Sequence, residues 1–153
     1  MKNLRTTLLC ACMLVCSVYS FSQTGTARVN EPNMNKPMLF TSLPDKININ
    51  PESFFTQLTS QGNDVSVNIG DKMPFQGKVV SASLGSESDV SSVVVRSANF
   101  PGARLIFSKA VIEGKTMYSG RIISMDHGDL YELQTTDGQY VFVKKKFYDL
   151  INE

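Results

Sequence analysis

Apolar residues that alternate with polar ones fill most of the chain from residue 65 onward, and this period of two limits the possible folds. In the first such run, Val65, Val67 and Ile69 alternate with Ser66 and Asn68. Alternation of this kind is typical of a strand with one buried and one solvated face. The pattern predicts strands at 65–69, 75–84, 90–96, 103–111, 116–125, 130–135 and 139–145.

Short turn sequences separate the predicted strands. The segments 99–102 (NFPG) and 136–138 (TDG) are examples, since Asn, Pro, Asp and Gly favour turn conformations. Loops this short cannot hold the crossover between parallel strands, which takes a dozen or more residues. We therefore predict a mainly β domain, an antiparallel meander of about seven strands that forms a small barrel or a sandwich.

One short helix is predicted ahead of these strands, near 51–60. Asn50 can accept hydrogen bonds from the free N–H groups of the first turn, and Pro51 suits the first helical position. Phe54 and Leu58 lie on one face at helical spacing. The helix is therefore expected to cover an open end or edge of the sheet.

The N-terminus has the three parts of a signal peptide. Lys2 and Arg5 precede a run of about eleven largely apolar residues, 8–18, which is too short to span a bilayer. Small residues follow at Ser20 and Ser22. We expect cleavage after Ser22, with cleavage after Ser20 as the alternative, and export to the periplasm or the extracellular space.

All three cysteines lie inside this predicted signal peptide, at positions 10, 12 and 16. The mature chain is therefore expected to contain no thiol and no disulfide. The minor alternative is a lipoprotein signal that ends at Cys12, although the apolar run before that residue is shorter than usual.

Residues 23–45 contain three prolines and three asparagines and have no sustained period. This composition predicts a tether, which leaves 46–153 as a single β-rich domain. Met38, Leu39 and Phe40 form an apolar patch in the tether. We predict that the patch occupies an edge or groove and contributes to partner binding.

The residues that carry chemistry are few. His127 is the only histidine and stands between Asp126 and Asp129, whereas metal sites usually take three or four ligands. Neither a G-x-S-x-G elbow nor a glycine-rich phosphate loop is present. We therefore predict no catalytic role and no cofactor. The alternatives are a small secreted hydrolase that uses carboxylates or His127, and a structural component of an envelope assembly.

Charge and hydropathy limit the partners. The formal net charge is +1, which removes the usual electrostatic case for nucleic acid. No further apolar stretch is long enough for a transmembrane helix. The expected partner is another exported protein.

The partner is expected to bind by strand addition at an exposed sheet edge. The candidate edge strands are 90–96, which is rich in valine, and 139–145, which has lysines at its end. Since lysines discourage edge pairing, 90–96 is the favoured strand. Val93 and Val95 share one face and are predicted core residues, whereas Val94 points the other way and is a predicted partner contact.

The order of features along the domain resembles a known protein family. The segments concerned are 54–58 (FFTQL), 65–69 (VSVNI), 75–79 (FQGKV), 101–107 (PGARLIF), 118–124 (YSGRIIS) and 131–140 (YELQTTDGQY). They resemble the prodomain-like β module of bacterial secreted zinc metalloproteases, here expected to be free-standing, without the protease domain. The resemblance implies a β fold and a prodomain-like or inhibitor-like binding role, with a protease as a candidate partner. The cysteine that some of these prodomains place on the zinc has no counterpart in the mature chain.

Overall fold

The structure, a computed structural model, describes residues 37–70, 73–84 and 90–146. In these ranges the elements follow in the order β1 (Lys46–Ile49), α1 (Pro51–Ser60), β2 (Asp64–Ile69), β3 (Met73–Ser83), β4 (Val90–Ser97), β5 (Ala103–Ile112), β6 (Lys115–Ser124), β7 (Asp129–Thr136) and β8 (Gln139–Lys146). The predicted signal peptide, with its three cysteines, and the predicted tether up to residue 36 lie outside the described residues.

The strands form one antiparallel sheet in the order β1-β8-β7-β6-β5-β4-β3-β2, curled into a half-barrel. The predicted mainly β antiparallel fold is confirmed, and so is the helix at 51–60. Strand β1 was missed because it has only four residues and lies directly before the helix. It pairs with β8, where Ile47 stands opposite Phe142.

The prediction of the sheet edges is wrong. The strand that contains Val94 is β4, which lies between β3 and β5, and β8 lies between β1 and β7. The edge strands are β1 and β2. Alternation shows which face of a strand is buried but not which strand ends the sheet, and the unrecognised β1 covers the edge of β8.

The core lies on the inner face of the curled sheet, which α1 covers. Phe54 and Leu58 of α1 are buried there, and the rings of Phe54 and Phe107 are 5.0 Å apart, centroid to centroid. Asn50 is the helix N-cap, since its side chain accepts a hydrogen bond of 3.0 Å from the backbone N–H of Ser53. No helix in the described ranges is long and apolar enough to cross a membrane.

Candidate interaction surfaces

Residues 37–45, predicted as the end of the tether, pack against the domain, and we call this segment the strap. Phe40 is fully buried. Its ring centroid lies 5.6 Å from that of Phe100 and 5.4 Å from that of Tyr131. Leu39 is partly buried against the same core, whereas Met38 is 40% exposed. Of the predicted apolar patch, therefore, Met38 offers the most accessible surface.

Polar side chains from the second half of the domain bind the backbone of the strap. These contacts join His127 Nδ1 to the Pro37 carbonyl (2.8 Å), Asp129 Oδ2 to the Phe40 N–H (2.6 Å), Tyr131 Oη to the Pro44 carbonyl (2.5 Å) and Lys144 Nζ to the Leu43 carbonyl (2.5 Å). Hydrogen bonds and apolar burial therefore both hold the strap against the domain.

The histidine and the tyrosine both donate to carbonyl oxygens. Because a carbonyl oxygen can only accept, Nδ1 of His127 carries the hydrogen in its contact with Pro37. Burial, reinforced by the charges of Asp45 and Asp129, raises the pKa of Tyr131 to about 12. The Tyr131 hydroxyl therefore keeps its proton at neutral pH. Both side chains therefore hold the strap by hydrogen bonds to its backbone.

Sequence reasoning placed Asp129 only as a neighbour of His127 and missed its role in holding the strap. It is buried at the start of β7, opposite Ser124 of β6. Within the described residues, Asp129 Oδ1 and Ser124 Oγ are buried without a hydrogen-bond partner. Residue 129 lies 89 positions from Phe40, so no local sequence signal could connect the two.

The predicted contact residues do not form one site. Val94 lies on the outer face of the sheet, which we define as the face opposite α1 and the core, between Ser81 of β3 and Ile106 of β5. The strap residue Phe40 packs in the core. Val93 and Val95 are buried, as predicted. Val94 is half-buried, and its neighbour Ile106 is 39% exposed.

An ion-pair cluster occupies the outer face of β6, β7 and β8. Glu132 Oε1 lies 2.8 Å from Arg121 Nη2, and Glu132 Oε2 lies 3.0 Å from Lys145 Nζ. Burial raises the pKa of Glu132, but the hydrogen bonds and charges of Lys145 and Arg121 outweigh it and hold that pKa below its usual range. This carboxylate is therefore compensated within the fold.

The true edge strands offer little room for an added strand. On β2, the Gln61 side chain bonds both backbone groups of Ser66: its Oε1 accepts from the Ser66 N–H at 2.8 Å, and its Nε2 donates to the Ser66 carbonyl at 3.1 Å. A side-chain amide thus takes the place of a neighbouring strand. The other edge, β1, is short, and its Asn48 carbonyl lies close to Gly70 at the end of β2.

A cleft of about 610 Å³ opens between these two edges and α1. Its lining combines amide and hydroxyl side chains with apolar residues: Pro44, Lys46, Ile47, Asn48, Ile49, Asn50, Ser53, Phe54, Gln57, Asn68 and Gly70. Lys46 carries the one charged side chain of this lining. Within the described residues, no three histidine, cysteine or acidic side chains come together in a way that could hold a metal ion.

Comparison with known proteins identifies no relative of this chain: no protein-family model, no curated protein and no solved structure matches it.

Proposed function

We propose that this chain is an exported, non-catalytic binding module that holds another exported protein on the outer face of its sheet. One observation carries the proposal: Val94 and Ile106 stand opposite each other on neighbouring central strands, and neither is fully buried. Protein–protein interfaces typically have an apolar core surrounded by a polar rim. The resemblance to metalloprotease prodomains makes a secreted protease the first partner to test.

The distribution of polar side chains supports a binding role over catalysis. His127 and Asp129 bind the backbone of the strap, and Glu132 is bound by Arg121 and Lys145. Each of these groups therefore already has a stabilising contact within the fold. Strand addition is no longer the favoured mode of binding, because β4 is a central strand.

Val94→Lys tests this surface. Affinity capture from the exported fraction of the producing cells is carried out with the wild-type chain, with Val94→Lys and with Val111→Lys. Val111 is the matched control, because it is an exposed valine of β5 (42% exposed) at the far end of that strand. A lysine at position 94 puts a charge into the proposed contact, so capture of the partner should be lost, whereas the Val111 variant should retain it.

The melting temperature of Val94→Lys should stay close to that of the wild-type chain, because the lysine side chain can extend from the outer face into solvent. Capture that is equal for all three proteins would refute the proposed surface. A large fall in melting temperature would show that position 94 is needed for folding. It would also rule out the outer face as the partner-binding surface.

A further inference from the structure

Three cations stand side by side on the outer face. Arg96 of β4 lies directly opposite Arg104 of β5 on one side and Lys78 of β3 on the other. All three side chains are exposed. Neighbouring strands are about 4.8 Å apart, so this cation row crosses three strands within about 10 Å.

Among the described residues, little negative charge compensates the cation row. In the part of the chain that the structure describes, neither Arg96 nor Arg104 has a carboxylate within ion-pair distance. Lys78 Nζ lies 3.8 Å from Asp64 Oδ1, but these side chains are 77% and 80% exposed, and a pair this exposed contributes little. Like charges directly opposite each other destabilise a sheet. The contacts among the described residues therefore give no stabilising reason for the row.

We propose that the cation row binds the carboxylates of an acidic, extended segment of the partner protein. This inference rests on the proposed function and names the chemistry of the partner. The apolar pair Val94 and Ile106 lies two residues along the same two strands, about 7 Å from the row. A bound segment therefore meets cations and an apolar contact side by side, which suits acidic residues with an apolar neighbour.

The chemistry of the outer face favours a peptide over a glycan. Sugars and bases stack on aromatic rings, whereas the aromatic side chains that the structure describes pack with the inner-face core or with one another at its margin. Arginine binds carboxylates through its planar fork of N–H donors. Two arginines beside an apolar pair thus match an acidic peptide.

The test uses two labelled synthetic peptides, one with glutamate and leucine in alternation and one with glutamine in place of each glutamate. Fluorescence anisotropy measures their binding to the full chain. The glutamate peptide should bind, the glutamine peptide should not, and added salt should weaken the binding. Arg96→Glu should lower the affinity at least about tenfold. Lys115→Glu, the same charge change on exposed residue 115 of β6, should leave it nearly unchanged.

Thermal melting controls for unfolding. Arg96→Glu places a carboxylate between Arg104 and Lys78, so its melting temperature should not fall below that of the wild-type chain. Arg104→Gln, which removes a charge without reversing it, should also weaken binding.

Several results would overturn the inference. These are no binding of the glutamate peptide, equal binding by the Arg96→Glu variant, and tighter Arg96-dependent binding to heparin or to phosphatidylglycerol vesicles than to the peptide. Failure here is distinct from failure of the proposed function: a partner captured through Val94 but indifferent to Arg96→Glu would refute this inference alone.

Discussion

Truncation of Phe40 tests whether the strap belongs to the folded domain. Phe40 is fully buried and packs against Phe100 and Tyr131, so Phe40→Ala removes a large apolar side chain and two aromatic contacts. Substitutions of this kind in protein cores cost about 3–5 kcal/mol. Since whole domains are stable by about 5–15 kcal/mol, we expect the loss of a large share of the total.

Met38→Ala is the matched control, because Met38 lies two residues away in the same strap and is 40% exposed. We expect it to cost less than about 1 kcal/mol, as surface substitutions usually do. The assay is urea denaturation of both variants, with the midpoint reporting the free energy of unfolding. A Phe40→Ala variant within about 0.5 kcal/mol of the wild-type chain would refute the assignment of the strap to the domain.

A double-mutant cycle then tests how the strap is held. Asp129 Oδ2 accepts a hydrogen bond of 2.6 Å from the Phe40 N–H. Asp129→Asn therefore weakens the same attachment of the strap to the domain that Phe40→Ala disrupts. The two free-energy changes should therefore not add, with a coupling of at least about 0.5 kcal/mol. Simple additivity would mean that the hydrogen bond and the buried ring act independently.

Two further predictions concern the interior of the sheet and the outer ion-pair cluster. Gly120→Ala places a Cβ 2.6 Å from Cδ2 of the buried Phe107 ring, so it should destabilise the domain by about 1–3 kcal/mol in thermal melting, and an unchanged melting temperature would contradict it. Glu132→Gln should cost about 1–3 kcal/mol at pH 7, because it removes charged hydrogen bonds to Arg121 and Lys145. Since the pKa of Glu132 is lowered in the folded state, this stabilisation is present above the ordinary carboxyl pKa and is lost as the pH falls through the folded-state value. Urea midpoints across an acid pH series should show the two proteins converge, and a constant difference would refute the ion-pair account.

The sequence predicted well those elements that are determined by residues close to one another along the chain. Period two and turn glycines placed all the longer strands, and the Asn50-Pro51 start placed α1, because each signal lies within its own element. Features that depend on distant residues were missed. Whether β4 is an edge depends on what pairs with it on both sides, and the four residues of β1 are too few to show a period.

The burial of Phe40 in the core was missed for the same reason, because it depends on distant residues. The patch around Phe40 was recognised as apolar, but its burial depends on Tyr131 and Asp129, which lie about ninety residues further along the chain. The predicted partner contact at Phe40 therefore has no accessible side chain in this fold. Val94 stays a prediction, now as part of a face rather than an edge.

The two faces of the sheet differ in the side chains that they carry: apolar residues fill the inner face, and charged residues are grouped on the outer face. On the inner face, α1 and the strap bury the apolar residues, and Asp129 binds the backbone of the strap. On the outer face, Glu132 is compensated, whereas Arg96 stands between two other cations. Each like-charge contact costs a few tenths of a kcal/mol, on the order of what an opposite-charge pair contributes. Real proteins break one or two such local rules at functional sites and compensate for them elsewhere, so the cation row is where a binding role and the stability of the fold are expected to conflict.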